Sequence, residues 1–148
     1  MIPSFTKEGL LPQGIFPAKW EELKLRFGTN QHRINLLEGL KKALINLKAA
    51  GCSVVYIDGS FVTDKHYPSD IDCCYSTDGI NWNAMDSVFK DFSNKRMAQK
   101  LKYSCEFFPS SSLADANGNT YFEFFQIDKS SNFQKGIIEL GLVRINDD

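Results

Sequence analysis

Short apolar, strand-like runs interleaved with amphipathic helical stretches predict an α/β (α+β) fold, a short mixed β-sheet flanked by helices. Three observations carry the prediction. A helical stripe, Leu37, Leu40, Leu44 and Leu47, precedes the longer extended runs. Three short apolar runs, 53–58, 70–75 and 103–108, follow, each bounded by turn residues. A helical pattern over 84–101 separates the second run from the third. The 148 residues suit one domain with one core, and twelve Phe, five Tyr and two Trp supply bulky filling for it.

The elements follow in order. Residues 1–17 carry Pro3, Gly9, Pro12, Gly14 and Pro17 and read as an irregular arm. Pro17 suits the opening of a short helix with the stripe Trp20, Leu23 and Phe27, closed by Gly28. Thr29 or Asn30 caps the longer helix, and Gly51 stops it, so 18–50 is the helical part. Ser53 to Asp58 is a strand that ends at the Gly59-Ser60 turn. Residues 61–69 read as a loop or a single helical turn, and Asp70 to Tyr75 as a second strand. Asp78-Gly79 marks a turn. The helix over 84–101 shows Met85, Val88, Phe89 and Phe92 on one face. Tyr103 to Phe108 is a third strand, broken by Pro109 and three serines. Tyr121 to Ile127 is apolar but of undecided type. A polar loop, 128–135, leads to a last strand-like run, Gly136 to Ile145. The apolar stripes and the aromatics Tyr121, Phe122, Phe124 and Phe125 read as core rather than as a base-stacking platform.

The composition excludes several classes. The formal net charge of −1 gives no global attraction to nucleic acid or anionic membrane, which leaves room only for a local basic patch. No apolar run approaches the roughly 18 residues of a spanning helix, so no membrane partner is expected. Met1 to Phe5 lacks the basic and apolar regions of a signal peptide. Cys52, Cys73, Cys74 and Cys105 show no C-x-x-C spacing and read as reduced, buried thiols of a cytoplasmic protein. His32 and His66 have no metal-ligand spacing to them, so zinc is not expected, and His66 reads as a surface loop residue.

The chemistry lies between Tyr56 and Asp72. Alternate side chains of a strand share a face, so Asp70 and Asp72 point one way while Ile71 and Cys73 point the other. Two carboxylates about 7 Å apart along a strand repel each other, and a hard cation with oxygen ligands, of the magnesium type, relieves that cost. Gly59 lets the chain turn sharply and lets a phosphate approach the amides, and the Ser60 hydroxyl adds a hydrogen bond. Phosphates over the Gly-Ser turn with metal on the Asp pair form a site for a nucleoside triphosphate. A third carboxylate completes a two-metal arrangement for in-line phosphoryl displacement. Glu106, between Cys105 and Phe107, faces the Asp side if its strand lies next to the second. Glu123 is a rival third acid, ranked lower because it is farther from the motif. Lys135 is a loop lysine with the reach to meet a triphosphate.

The order strand, Gly59-Ser60, Asp70-Ile71-Asp72, helix and acid-bearing strand resembles the nucleotidyltransferase superfamily over residues 54–108. The whole chain, 1–148, looks like one domain of an uncharacterised family of small bacterial nucleotidyltransferase-like proteins. That likeness rests on Gly9-Leu10-Leu11-Pro12, Ala50-Gly51-Cys52, Asp58-Gly59-Ser60-Phe61-Val62-Thr63, Pro68-Ser69-Asp70-Ile71-Asp72 and Lys135-Gly136-Ile137. The resemblance implies a nucleotidyltransferase-like fold in which Gly59 and Ser60 bind nucleotide phosphates. It implies that Asp70, Asp72 and Glu106 are catalytic and hold Mg2+, as two ions in the full arrangement, with Mn2+ as a substitute. Minimal nucleotidyltransferases often carry an arginine just after Gly-Ser, and Lys65 supplies that charge here as a point charge rather than a fork. The implied activity is transfer of a nucleoside monophosphate from a nucleoside triphosphate to a protein, RNA or small-molecule acceptor. By analogy the setting is a toxin–antitoxin or phage-defence pair. The alternative is a catalytically inactive binding or antitoxin protein on the same fold.

Overall fold

The computed structural model describes residues 1–128, 131 and 134–145. Its elements in chain order are β1 (Ile15–Ala18), α1 (Trp20–Phe27), α2 (Gln31–Ala49), β2 (Val54–Asp58), β3 (Ile71–Tyr75), α3 (Ser93–Tyr103), β4 (Cys105–Pro109), α4 (Tyr121–Phe124) and β5 (Ile137–Gly141), with 3-10 turns at Gly59–Val62 and Ser87–Lys90. The five strands form one mixed sheet in the order β1-β5-β2-β3-β4. β2 is antiparallel to both its neighbours, whereas β1 with β5 and β3 with β4 are parallel. The chain is therefore mixed α/β. No helix among the described residues is long and apolar enough to cross a membrane.

Strand alternation sorts the side chains onto two faces. One face presents Val55, Ile57, Ile71, Cys73, Tyr75, Cys105, Phe107, Ile138 and Leu140 to the stripes of α1 and α2, and all of these are buried. Leu40, Leu44 and Leu47 of α2 are 0% exposed, and each such side chain contributes about 1.5–3 kcal/mol of burial. Asn30 caps α2 by accepting from the Arg33 amide at 2.8 Å. Gly39 allows close packing, because a Cβ there would stand 2.3 Å from the Tyr103 carbonyl oxygen. All four cysteines are buried and free of disulfides.

Arg33 is buried, and among the described residues no carboxylate is hydrogen-bonded to it. Its side chain donates to the carbonyls of Phe27, Phe61, Thr63 and Lys65 and lies over the Phe61 ring. It thus pins the loop after Gly59 to the start of α2. At the free edge of β4, buried Gln99 accepts from the Phe107 amide at 2.8 Å and so covers part of an open strand edge.

Two expectations are corrected. The arm assigned to 1–17 ends in β1, where Pro17 sits in an edge strand that gains four parallel partners from β5. The continuous helix over 84–101 is instead a 3-10 turn and then α3. The Asp86 side chain accepts from Val88 N and the Asp91 side chain from Ser93 N, so local bonds compete with the helical ladder between them. Met85 and Phe89 are buried as expected, but Phe92 is 48% exposed. Asn94, Lys95 and Arg96 have φ of 50°, 56° and 61°, a left-handed stretch inside α3. The undecided apolar segment holds α4, whose capping box pairs Thr120 with Glu123. In the polar loop, residues 129, 130, 132 and 133 lie outside the described residues.

Candidate functional site

The second face of the sheet is divided. Cys74 and Phe108 are covered there by Phe125, with Tyr56, Tyr121 and Phe124 packed around them. Beyond this apolar patch the strand ends carry acids. Asp58 of β2 pairs in register with Asp72 of β3, and Asp72 with Glu106 of β4. Residues paired across strands share a face, so three carboxylates stand in one row on three adjacent strands. Asp70 comes just before β3, and Lys100 of α3 ties it to Glu106. The Lys100 ammonium is 2.8 Å from Glu106 Oε1 and 3.9 Å from Asp70 Oδ2.

The Gly59 turn closes this row. Gly59 has φ of 75°, and a Cβ there would lie 2.3 Å from Asp72 Oδ2. Only glycine lets the backbone lie against that carboxylate. Thr63 Oγ1 donates to the Ser60 carbonyl at 2.6 Å and holds the turn. A cavity of about 230 Å³ opens there, lined by Gly59, Ser60, Asp72, Phe124, Phe125, Ile127, Asp128 and Lys135. A larger groove of about 360 Å³ between α1 and α2 is lined by Trp20, Leu37, Ile45 and lysines, and lies on the other side of the sheet from the acids.

Charge repulsion shows in the acids. Burial, and then Asp72, push the Asp58 carboxyl well above the usual range, against smaller pulls from the Cys74 thiol and Lys135. Burial and Glu106 raise Asp70, while Lys100 and Lys65 pull it down. The hydrogen bond to Glu106 raises the Lys100 ammonium. Cys74 Sγ donates to Asp58 Oδ2 at 3.5 Å, whereas Asp58 Oδ1 is buried with no hydrogen-bond partner among the described residues.

The fold thus brings Gly59, Ser60, Asp72 and Glu106 together, with Asp70 joined through Lys100. Lys65 is exposed on the loop that Arg33 pins. It is close enough to influence Asp70 but is not part of the cavity lining. Lys135 is part of that lining. Glu123 is spent on the α4 cap, and its carboxylate accepts from Thr120 N at 2.9 Å. His66 is exposed beside Tyr67.

Asp58 and Lys100 are absent from the sequence-derived site. Strand alternation in β2 already set Asp58 apart from Val55 and Ile57, but only the β2–β3 register reveals its acidic partner. Lys100 reaches the acids only because α3 packs beside β4. The donor set is all carboxylate oxygen, and one of its atoms is an orphaned buried oxygen. That chemistry fits a hard divalent cation. Among the described residues, no three His, Cys, Asp or Glu side chains are gathered tightly enough to hold a metal by themselves. Two carboxylates with water and phosphate remain a sufficient magnesium set.

The model of a family of unknown function, DUF6932, matches residues 3–141. The chain belongs to this family. No curated protein and no solved structure matches it.

Proposed function

We propose that this DUF6932 member is a cytoplasmic, metal-dependent nucleotidyltransferase with a nucleotidyltransferase-like fold. It would move a nucleoside monophosphate from a nucleoside triphosphate to a protein, RNA or small-molecule acceptor. The observation that carries the reading is the Gly59-Ser60 turn lying against Asp72, on the face where Asp72 and Glu106 stand side by side. Phosphates entering the cavity meet the backbone of the turn, the Ser60 hydroxyl and the Lys135 ammonium. The acceptor hydroxyl attacks the α-phosphorus and gives up its proton to solvent, the bond from the α-phosphorus to the bridging oxygen breaks, and pyrophosphate leaves. Magnesium would be held by Asp72 with Asp70 and Glu106 as the neighbouring acids, and would supply charge neutralisation for that displacement. Lys100 and Lys65 add positive charge beside Asp70. A toxin–antitoxin or phage-defence pair is the setting we favour by analogy.

One observation favours a second reading, a non-catalytic nucleotide-binding or antitoxin protein. Lys100 already neutralises Glu106 and Asp70, as a second metal ion would. The experiment that separates the readings follows label from α-labelled nucleoside triphosphates into cell extract with Mg2+ or Mn2+. The D70N/D72N double variant keeps the side-chain shapes and removes two charges. Its transfer should fall by about three orders of magnitude or more, roughly 4 kcal/mol of transition-state stabilisation. Its metal-free stability should hold or rise, because repulsion is relieved. Equal labelling by both proteins overturns the assignment of these acids, and no labelling by the wild type supports the second reading.

A further inference from the structure

We propose that the groove between α1 and α2 docks an acidic, amphipathic helix of a partner protein. The inference does not rest on nucleotide transfer, since the groove and the carboxylate row lie on opposite sides of the sheet.

α2 carries two apolar stripes. Leu40, Leu44 and Leu47 face the sheet and are fully buried. Ile34, Leu37 and Ile45 line the groove instead, and Trp20 of α1 completes its apolar lining. From Ile34 to Ile45 the second stripe runs three turns of helix, about 16 Å. Leu37 is buried, whereas Trp20, Ile34 and Ile45 are only half-buried. A helix lying on a sheet ordinarily shows solvent a polar face. Here the outward side of α2 keeps an apolar stripe at helical spacing, which matches the i, i+3 or i+4, i+7 anchors of a helix laid into a groove.

The charge of the occupant follows from the rim. Lys24, Lys41 and Lys42 stand there with one acid, Glu38. Lys24 and Lys42 are exposed, and among the described residues neither forms an ion pair with a carboxylate. The Lys41 ammonium lies over the Trp20 ring, 5.5 Å from its centroid. Trp20 also lines an adjoining cavity of about 380 Å³, where Lys19 and Arg144 meet one acid, Glu21. The two cavities gather five cations against two acids, in a chain whose formal net charge is −1. A partner of opposite sign is steered to such a surface and held in register on it. A nucleic-acid backbone fits it less well, because phosphates find no counterpart in the apolar floor and the chain as a whole does not attract them. An acidic amphipathic helix meets both halves, with apolar anchors on Trp20, Leu37 and Ile45 and carboxylates at the lysines.

The probe is a library of displayed helical peptides with apolar residues fixed at i, i+4 and i+7 and every other position randomised, selected on the full chain. The selected peptides should be rich in Asp and Glu, and selection on the K24E/K42E variant should lose that excess. Both lysines are exposed, so the variant should keep the fold, which thermal unfolding checks. A selected peptide titrated into the isotope-labelled chain should shift the indole signal of Trp20 before that of Trp82, which lines neither cavity. K24E/K42E should weaken this peptide about tenfold or more, and added salt should weaken it on the wild type. Peptides without an acidic excess, equal affinity for the two proteins, shifts that begin at Trp82, or a selection that yields no binder would each overturn the proposal. Single-stranded RNA that shifts Trp20 at lower concentration than the peptide would assign the groove to nucleic acid. A wild-type dimer that K24E/K42E dissociates would assign it to a second copy of the chain. Either result overturns the proposal as well.

Discussion

The two faces of the same five strands obey different rules. Under α1 and α2, Val55 and Ile57 of β2, Ile71, Cys73 and Tyr75 of β3, and Cys105 and Phe107 of β4 are all enclosed. On the other face, the same strands bury an aromatic patch and then spend their ends on Asp58, Asp72 and Glu106. The first arrangement minimises free energy, because close-packed apolar contacts reinforce one another. The second sets acids side by side and leaves Asp58 Oδ1 without a hydrogen-bond partner among the described residues. Stability comes from one face, and the other carries a cost that a ligand would offset.

Adjacent residues of β4 offer the sharpest contrast. Phe107 is 0% exposed and meets the Phe89 ring edge-on at 4.9 Å. Phe107→Ala should lower stability by about 3–5 kcal/mol, from lost burial and the cavity left behind. Glu106→Gln breaks only a partly exposed ion pair and should cost less than about 1 kcal/mol. Urea unfolding of the two variants checks this, and comparable losses would erase the distinction between the faces.

Gly59→Ala falls between them. The new methyl would meet Asp72 Oδ2 and strain a left-handed backbone, at a cost of about 1–3 kcal/mol. Mn2+ affinity should fall with it, because Asp72 must move. Full metal affinity in this variant would show that the turn does not shape the carboxylate.

These expectations also show how far the sequence reaches. Strands β2, β3 and β4 are legible because short apolar runs, β-branched in β2, end at Gly59, before Asp78-Gly79 and at Pro109. α1 and α2 were legible from their leucine and aromatic stripes. β1 was not, because four residues that include a proline become a strand only by pairing with β5, 122 residues on from Ile15 to Ile137. The break before α3 was hidden because Met85 and Phe89 keep a helical spacing while the Asp86 and Asp91 side chains redirect the backbone. At the site, the acids on β3 and β4 follow from alternation, whereas Asp58 and Lys100 depend on register and helix docking.

The smallest expected effect is in pH dependence, and it has opposite signs on the two sides of the sheet. Asp58 is raised in the native state by burial and then by Asp72. Its contribution to stability is complete below the unfolded value of about 4 and is lost as pH rises through its native value. Asp86 lies near α3 on the core side. Burial pushes it up, but the bonds from Lys102, Tyr103 and Val88 prevail and hold it below the usual range. Its contribution is present above about 4 and is lost as pH falls through its lower native value. In metal-free urea unfolding across pH, Asp58→Asn should remove part of the decline above about 4, and Asp86→Asn part of the loss below it. Profiles parallel to wild type for both variants would contradict these assignments.

The most direct test of the account is a crystal grown with Mn2+ and a non-hydrolysable nucleoside triphosphate. An anomalous scattering peak is expected beside Asp72, with the triphosphate over Gly59 and Ser60 and within reach of Lys135. Metal and nucleotide bound elsewhere, with the carboxylate row untouched, would contradict it.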